Sequence, residues 1–149
     1  FGEISNAKFI LELGSKIDIH SIDTQQYQDS FWIKNLENYN AHYVIRQSRD
    51  IDGFKPFTKG FLAAKLSANV LAYKNDNDTI QYLTEDYPYL LEDNSLESIK
   101  KMLLFMEESY LSKDWCDGLE IMRDIKEKSS NEFIVNQVRD LFNKLDLIP

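Results

Sequence analysis

The chain has 149 residues, of which 43% are hydrophobic and 28% are charged. This length and composition predict one domain with a real core and exclude a disordered chain. The net charge of −8 would repel a nucleic acid, so we expect no nucleic-acid partner. No apolar run approaches the ~18 residues of a membrane-spanning helix. Cys116 is the only cysteine, which excludes an internal disulfide and favours a reducing cytoplasm.

The first third of the chain is predicted to alternate between helix and strand. Ser5 can cap a helix over residues 6–13, and Gly14 is suited to end it. A strand over residues 16–22, a helix over 24–38 and a strand over 41–45 follow. The opening residues, Phe1-Gly2-Glu3-Ile4, look like the end of a strand. We therefore expect a fragment that lacks its first strand and a preceding domain.

The middle of the chain predicts a further strand between two helices. After a polar loop over residues 46–56, Pro56 suits a first helical turn, and a helix over 58–67 follows. The continuous apolar run at 69–73, NVLAY, is typical of a fully buried strand. Asp76 or Asn77 can cap a helix that runs to about Leu83, and residues 89–91 offer one more short strand.

The last third is predicted to be helical, with capping boxes at Asn94 with Glu97 and at Ser129 with Glu132. The whole pattern predicts an α/β fold: one Rossmann-like domain over residues 1–149, with an open parallel sheet, helices on both faces and a helical C-terminal tail. An absent first strand would leave a sheet edge able to pair with a second copy, so a homodimer is one expectation.

In a doubly wound sheet, the loops at the carboxyl ends of the strands face the ligand crevice. Those loops carry the candidate donor-binding residues Gly2, Glu3, Arg46, Arg49, Lys55, Thr58, Lys59, Asp76 and Asp78. Thr58 and Lys59 open a helix, where backbone N–H groups, the helix dipole, a hydroxyl and an ammonium would suit a diphosphate. The alternative is an ordinary capped helix with a solvated lysine. Gly60, Ala63 and Ala64 should let this helix approach the sheet closely.

The segment KPFTKGFLAAKLSANVLAYKNDNDTIQYLTEDYPYL, residues 55–90, resembles the donor-binding part of a GT-B glycosyltransferase C-terminal domain. Phe57-Thr58-Lys59 falls where that superfamily begins its phosphate-binding helix, and residues 67–70 fall where it usually reads G-x-P-V. Phe1-Gly2-Glu3 would match the turn after the domain's first strand. The resemblance implies half of a GT-B fold that binds a nucleotide sugar without a metal or other cofactor, while the acceptor and the catalytic base belong to the missing N-terminal domain.

Two departures from the family pattern concern the donor and the fold. The helix position where many members carry a ribose-binding glutamate offers only Phe61 and Leu62 here, so the ribose contact must come from elsewhere or the donor differs. Ser67 and Asn69 replace the commoner glycine and proline, which should leave the fold unchanged.

Several other polar residues have both a structural and a functional interpretation. Asp76, Asn77 and Asp78 could hold sugar hydroxyls, or could form a helix cap with solvated acids. Tyr87 and Tyr89 could stack on a ligand, but packing over the sheet edge is the simpler interpretation. His20 and His42 are predicted within strands, as core residues and not as metal ligands. Cys116 is predicted to be a packed small hydrophobe.

The sequence therefore favours a nucleotide-sugar-binding domain of a cytoplasmic glycosyltransferase, incomplete as an enzyme on its own. Lys59, with Arg46 or Arg49 and the helix dipole, would stabilise the departing nucleotide diphosphate. The alternative is a non-catalytic α/β module that binds a partner protein through its helical tail.

Overall fold

The computed structural model describes residues 4–20, 31–47 and 56–145. Its regular elements form an α/β fold of three strands and six helices within those ranges. In chain order they are α1 Phe31–Leu36, β1 Ala41–Tyr43, α2 Thr58–Lys65, β2 Asn69–Tyr73, α3 Asn77–Tyr82, β3 Leu90–Leu91, α4 Leu96–Glu108, α5 Lys113–Lys128 and α6 Asn131–Lys144. None of the helices in these ranges has the length and apolar character needed to cross a membrane.

The three strands form an open parallel sheet in the order β1-β2-β3. Ala41 is in register with Asn69, and Tyr43 with Leu71, while Ala72 pairs with Leu90 on the other side of β2. Parallel strands need crossover connections, which α2 supplies between β1 and β2 and α3 between β2 and β3. The predicted open parallel sheet flanked by helices is confirmed, and the arrangement is consistent with a Rossmann-like fold.

The core lies around β2, which is the central strand. Asn69 to Ala72 are buried, as the continuous apolar run predicts. Ala63 and Ala64 of α2 are almost completely buried against it, so the predicted close approach of helix and sheet is confirmed. Tyr89 and Ile99 are also fully buried. Helix α6 contributes no buried residue, although its sequence is amphipathic.

The prediction for the N-terminal segment is wrong in its secondary structure. Residues 6–13 do not form a helix, because their main chain pairs with the continuation of β1 instead. Ala7 and Arg46 form an antiparallel bridge, the Lys8 N–H donates to the Ile45 carbonyl, and the Gln47 N–H donates to the Asn6 carbonyl. Phe9 has a positive φ of 55°, which a helix cannot contain.

The predicted strand at residues 16–22 is also wrong over its described part. Residues 17–20 form no strand, and a short 3₁₀ turn over Gly14–Lys16 precedes them. His20 is thus outside any strand, whereas His42 lies in β1. Gly14 has a φ of +57°, the left-handed conformation expected of a glycine that ends a turn. Residues 21–30 lie outside the described part, so only Phe31–Leu36 of the predicted helix over 24–38 is observed.

The elements from β2 onward agree closely with those predicted from the sequence, apart from their helix caps. Strand β2 has its predicted bounds, and Asp76 occupies the position before α3. The helices α4 and α6 are capped one residue later than the capping boxes indicate. The Ser95 hydroxyl accepts the Ser98 N–H, and the Ser130 hydroxyl accepts the Phe133 N–H. Asn94 accepts a hydrogen bond from the Lys8 ammonium instead, at 2.7 Å.

Candidate functional site

The candidate site lies where the parallel strands end. Arg46 follows β1, Lys74 and Asp76 follow β2, and Glu92 follows β3. The Lys74 ammonium and the Glu92 carboxylate form an ion pair at 2.8 Å that joins the ends of β2 and β3. This pair raises the pKa of Lys74, through the hydrogen bond from its ammonium to Glu92 first and then through the charge of Glu92. The edge therefore carries charges of both signs.

The carbonyl of Pro56 connects the end of β1 with the start of α2. It accepts hydrogen bonds from the Thr58 N–H at 2.7 Å, from the Thr58 hydroxyl at 3.3 Å and from the Arg46 guanidinium at 3.2 Å. Phe57 precedes the helix and offers no side-chain cap. The Phe61 N–H begins the helical ladder by donating to the Phe57 carbonyl, so the N–H groups of residues 58–60 lie before the ladder, and that of Thr58 is already engaged by the Pro56 carbonyl.

Lys59 lies close to Arg46 and is half-buried in the first turn of α2. Burial, and to a smaller extent the positive charge of Arg46, lowers the pKa of Lys59 to about 8. Thr58, one residue earlier, is exposed. The structure therefore places two cationic side chains and an exposed hydroxyl at one helix start, beside the end of a parallel strand. A negative charge placed near these side chains would offset the repulsion between them.

Aromatic packing fixes the start of α2. The Phe57 ring is buried, lies parallel to the Tyr82 ring of α3 at 5.8 Å between centroids, and meets the Phe61 ring edge-on at 6.0 Å. A Cβ at Gly60 would lie 1.8 Å from Phe57 Cε1. Gly60 is thus required by the Phe57 ring, whereas the close packing of helix and sheet rests on Ala63 and Ala64.

Ser67 and Asn69, which follow α2, have distinct structural roles. Ser67 has a φ of 57°, a conformation in which glycine is favoured. The Asn69 N–H donates to the Asn40 carbonyl, a bond that a proline could not make. The buried Asn69 side chain donates to the Trp115 carbonyl at 3.2 Å, which links β2 to α5.

The structure brings together three of the nine predicted donor-binding residues: Arg46, Thr58 and Lys59. Asp76 is partly buried before α3, at the end of the neighbouring strand β2. The other predicted positions are Gly2, Glu3, Arg49 and Lys55, which lie outside the described residues, and Asp78, whose backbone is in α3 but whose side chain is outside the described part.

Two polar clusters at this edge are not among the predicted site residues. Lys8 and Asn94 are in contact across 86 positions of sequence, which no local pattern can reveal. Asp93 accepts hydrogen bonds from the Ser98 and Ser95 hydroxyls and from the Ser95 N–H, and these bonds lower the pKa of Asp93. A serine two and five residues after an aspartate, just before a helix, is the local signal that could have indicated this cluster.

No family model, curated protein or solved structure matches this chain. The assignment of a function therefore depends on the geometry of the chain itself.

A cavity of about 140 Å³ lies beside β1. Its walls are mainly aliphatic and come from the N-terminal segment, from Leu36 and from Leu103 and Met106 of α4. All three residues of β1 line it, and so does Lys59, which places one end of the cavity near the helix start described above. His20 and Tyr39 also line the cavity, and the imidazole of His20 forms a hydrogen bond of 2.8 Å with the hydroxyl of Tyr39.

Most of the other residues for which the sequence allows both a structural and a functional role have a structural role in the fold. Burial lowers the pKa of His42 to about 4, as expected of a core histidine. The Tyr87 hydroxyl accepts the Val70 N–H at 2.7 Å and is buried, so it belongs to the core and not to a ligand surface. Cys116 is exposed, and the prediction that it packs in the core is wrong, because the buried face of α5 passes through Trp115 and Met122 instead. Within the described ranges, no group of histidine, cysteine and acidic side chains could hold a metal ion.

Proposed function

We propose that this chain binds the diphosphate of a nucleotide sugar at the start of α2, as the donor-binding half of a GT-B glycosyltransferase. The observation that carries the proposal is the placement of Lys59 beside Arg46, where β1 ends and α2 begins. Open α/β sheets bind phosphorylated ligands at the carboxyl ends of their strands, next to a helix N-terminus.

The chemistry of the two cations suits a leaving diphosphate. As the glycosyl bond breaks, negative charge grows on the departing nucleotide, and fixed positive charges stabilise it. Arg46 can form paired hydrogen bonds with phosphate oxygens, whereas Lys59 acts as a compact point charge. Because burial lowers the pKa of Lys59, a bound diphosphate should raise this pKa again and favour the ammonium form.

The proposal is tested by titrating UDP and GDP into the protein in an isothermal calorimeter at pH 8.5, with uridine and guanosine as controls without phosphate. At this pH Lys59 is mostly neutral in the protein without nucleotide, so binding should take up about 0.7 proton. The uptake is measured by comparing buffers of different ionisation enthalpy. We expect Lys59→Met to weaken binding and to remove the proton uptake.

Lys65→Met is the matched control, because Lys65 is an exposed lysine in the last turn of the same helix. This variant should bind as the unmodified protein does. At a ligand concentration of 100 times Kd, binding should add about 2.7 kcal/mol to the free energy of unfolding. If neither nucleotide binds, or if the two lysine variants behave alike, the donor-site proposal is wrong.

A second candidate function is a protein-interaction module that uses the helical tail. The observation in its favour is α6, where Val135, Val138, Leu141 and Leu145 are 45–56% exposed. Apolar side chains clustered on an exposed face commonly mark an interaction surface. The two candidates are separated by Leu141→Ser, which should leave nucleotide binding unchanged while weakening any complex formed through α6.

A further inference from the structure

We propose that the turn between α4 and α5 of one copy of the chain docks into a groove between α2, α5 and α6 of a second copy. The docking turn, here named the knob, is residues 107–114, which end α4 and begin α5. The groove has a volume of about 1120 Å³. Thr58 lines it, but Arg46 and Lys59 are not among the described residues that do, so the inference is independent of the donor cations.

Leu111 is the most unusual residue of the knob. Its side chain is 69% exposed, and its backbone has a φ of 63°, which is rare for a bulky residue. Such a conformation persists where the surrounding structure holds it in place. The Tyr110 ring packs edge-on against Trp115 at 5.0 Å between centroids, and the hydroxyls of Ser109 and Tyr89 share a hydrogen bond of 2.9 Å. The fold therefore fixes a large apolar side chain in contact with solvent.

The floor of the groove is apolar. Phe61 of α2 and Tyr82 of α3 line it and meet edge-on at 4.8 Å between ring centroids, and α6 adds Phe133 and Ile134. The groove can hold roughly two turns of α-helix with their side chains, because a helix is about 10–12 Å across and rises about 1.5 Å per residue. The knob, with the last residues of one helix and the first of another, is of this size.

The charges of the two surfaces are opposite. The groove is lined by three lysines and one aspartate: Lys65, Lys126, Lys128 and Asp124. The knob carries three acidic residues and one lysine: Glu107, Glu108, Asp114 and Lys113. The net charge is thus +2 for the groove and −2 for the knob, in a chain with a total of −8. This complementarity favours the knob of a second copy over a basic partner surface.

The arrangement of the groove lysines strengthens this complementarity. Asp124 is paired with Lys128 at 2.6 Å, so no acidic residue among the described lining residues offsets Lys65 and Lys126. The Lys126 ammonium donates to the Ser67 hydroxyl at 3.3 Å, which holds this charge at the end of α2. The start of α6 also lies in the groove, where its dipole adds positive potential.

The knob and the groove lie at opposite ends of α5. The knob contains the first residues of this helix, and the groove contains residues 124–126 and 128 near its end. Because α5 has 16 residues, the two surfaces are roughly 20 Å apart along its axis. A substitution in one surface should therefore leave the other intact, and each copy should keep one working half of the contact.

The test measures self-association of the full chain by sedimentation velocity over a hundredfold range of protein concentration. We expect reversible association that weakens as salt is added, because the contact joins opposite charges. Leu111→Asn should weaken association roughly tenfold, since it removes the apolar side chain while asparagine tolerates a positive φ. Leu11→Asn is the matched control, because Leu11 is 72% exposed and lies outside the knob.

The groove is tested with Ile134→Asn, which should weaken association as strongly as Leu111→Asn does. Val135→Asn is the matched control, because Val135 is also exposed on α6 but is not among the described residues that line the groove. Far-UV circular dichroism verifies that each variant is folded. An equimolar mixture of Leu111→Asn and Ile134→Asn should form a 1:1 complex, since the first keeps an intact groove and the second an intact knob.

Three outcomes would overturn the proposal. The first is an unmodified protein that stays monomeric at every concentration. The second is a knob or groove variant that associates as its matched control does. The third is a mixture of the two weakened variants that remains monomeric. Nucleotide binding by Leu111→Asn should equal that of the unmodified protein, so a failure of this contact is distinguishable from a failure of the donor site.

Discussion

Replacing Gly60 with alanine should destabilise the protein, although alanine is the better helix former. An added Cβ would lie 1.8 Å from Phe57 Cε1, 2.2 Å from Cζ and 2.3 Å from Cδ1. Normal contact between carbon atoms needs about 3.5 Å, so the ring must move by roughly 1.5 Å. Phe57 is only 4% exposed and is stacked on Tyr82, which leaves it little room to move.

The expected size of the effect combines two opposing contributions. Overpacking a well-packed site costs about 1–3 kcal/mol. Alanine in a helix interior gains at most about 1 kcal/mol over glycine. Gly60→Ala should therefore lower the free energy of unfolding by about 1–2 kcal/mol. Urea denaturation followed by far-UV circular dichroism measures this value from the transition midpoint and slope.

The double variant Phe57→Ala/Gly60→Ala gives the decisive comparison. Phe57→Ala alone should cost about 3–5 kcal/mol, because it removes a buried ring. In the Phe57→Ala background the Cβ added at position 60 no longer contacts a ring. Gly60→Ala should then raise the free energy of unfolding by up to about 1 kcal/mol. The sign of its effect thus reverses between the two backgrounds. If Gly60→Ala stabilises the otherwise unmodified protein, the steric argument is refuted.

Three further substitutions test other parts of the structure by chemical denaturation. The pKa of Lys59 is about 8 when folded and 10.5 when unfolded, so the unfolded chain holds more protons between these values. The free energy of unfolding should therefore rise by about 2 kcal/mol from pH 8 to 10. Lys59→Met should remove this rise, and a matching slope in the variant would contradict the assignment. Ser67→Gly should raise the free energy of unfolding by about 0.5–1 kcal/mol, because Ser67 has a φ of 57°. A loss of stability would contradict this positive φ. Tyr87→Phe should cost about 1–3 kcal/mol, since it leaves the buried Val70 N–H without its acceptor, and an unchanged midpoint would disprove the importance of that bond.

The sequence predicts the second half of this fold better than the first, for a physical reason. Strand β2 and helix α3 have strong local signals, a continuous apolar run and an acidic residue before a helix, and both form as predicted. Residues 6–13 have a helical pattern as well, yet their backbone pairs with residues 45–47. Hydrogen bonds between distant segments outweigh weak local propensity, and no window of sequence contains both partners.

The candidate site was predictable only in part. The sequence indicates that Thr58 and Lys59 begin a helix after a strand, and the structure places them there. The hydrogen bond between Arg46 and the Pro56 carbonyl connects residues ten apart through a loop whose path is not set by periodicity. The cavity beside β1 was not predictable either, because it is bounded by Leu103 and Met106, some sixty residues after the strand.

The three hydrogen bonds accepted by the Pro56 carbonyl have a consequence for ligand affinity. Because one oxygen atom holds both the Arg46 guanidinium and the first residue of α2, the spacing of Arg46 and Lys59 is established when the chain folds. The diphosphate that we propose to bind here would then meet a preorganised pair of cations, and little entropy would be lost in ordering their side chains. Weakening the hydrogen bond between Arg46 and the Pro56 carbonyl should reduce the affinity for the proposed diphosphate, although Arg46 and Lys59 both remain.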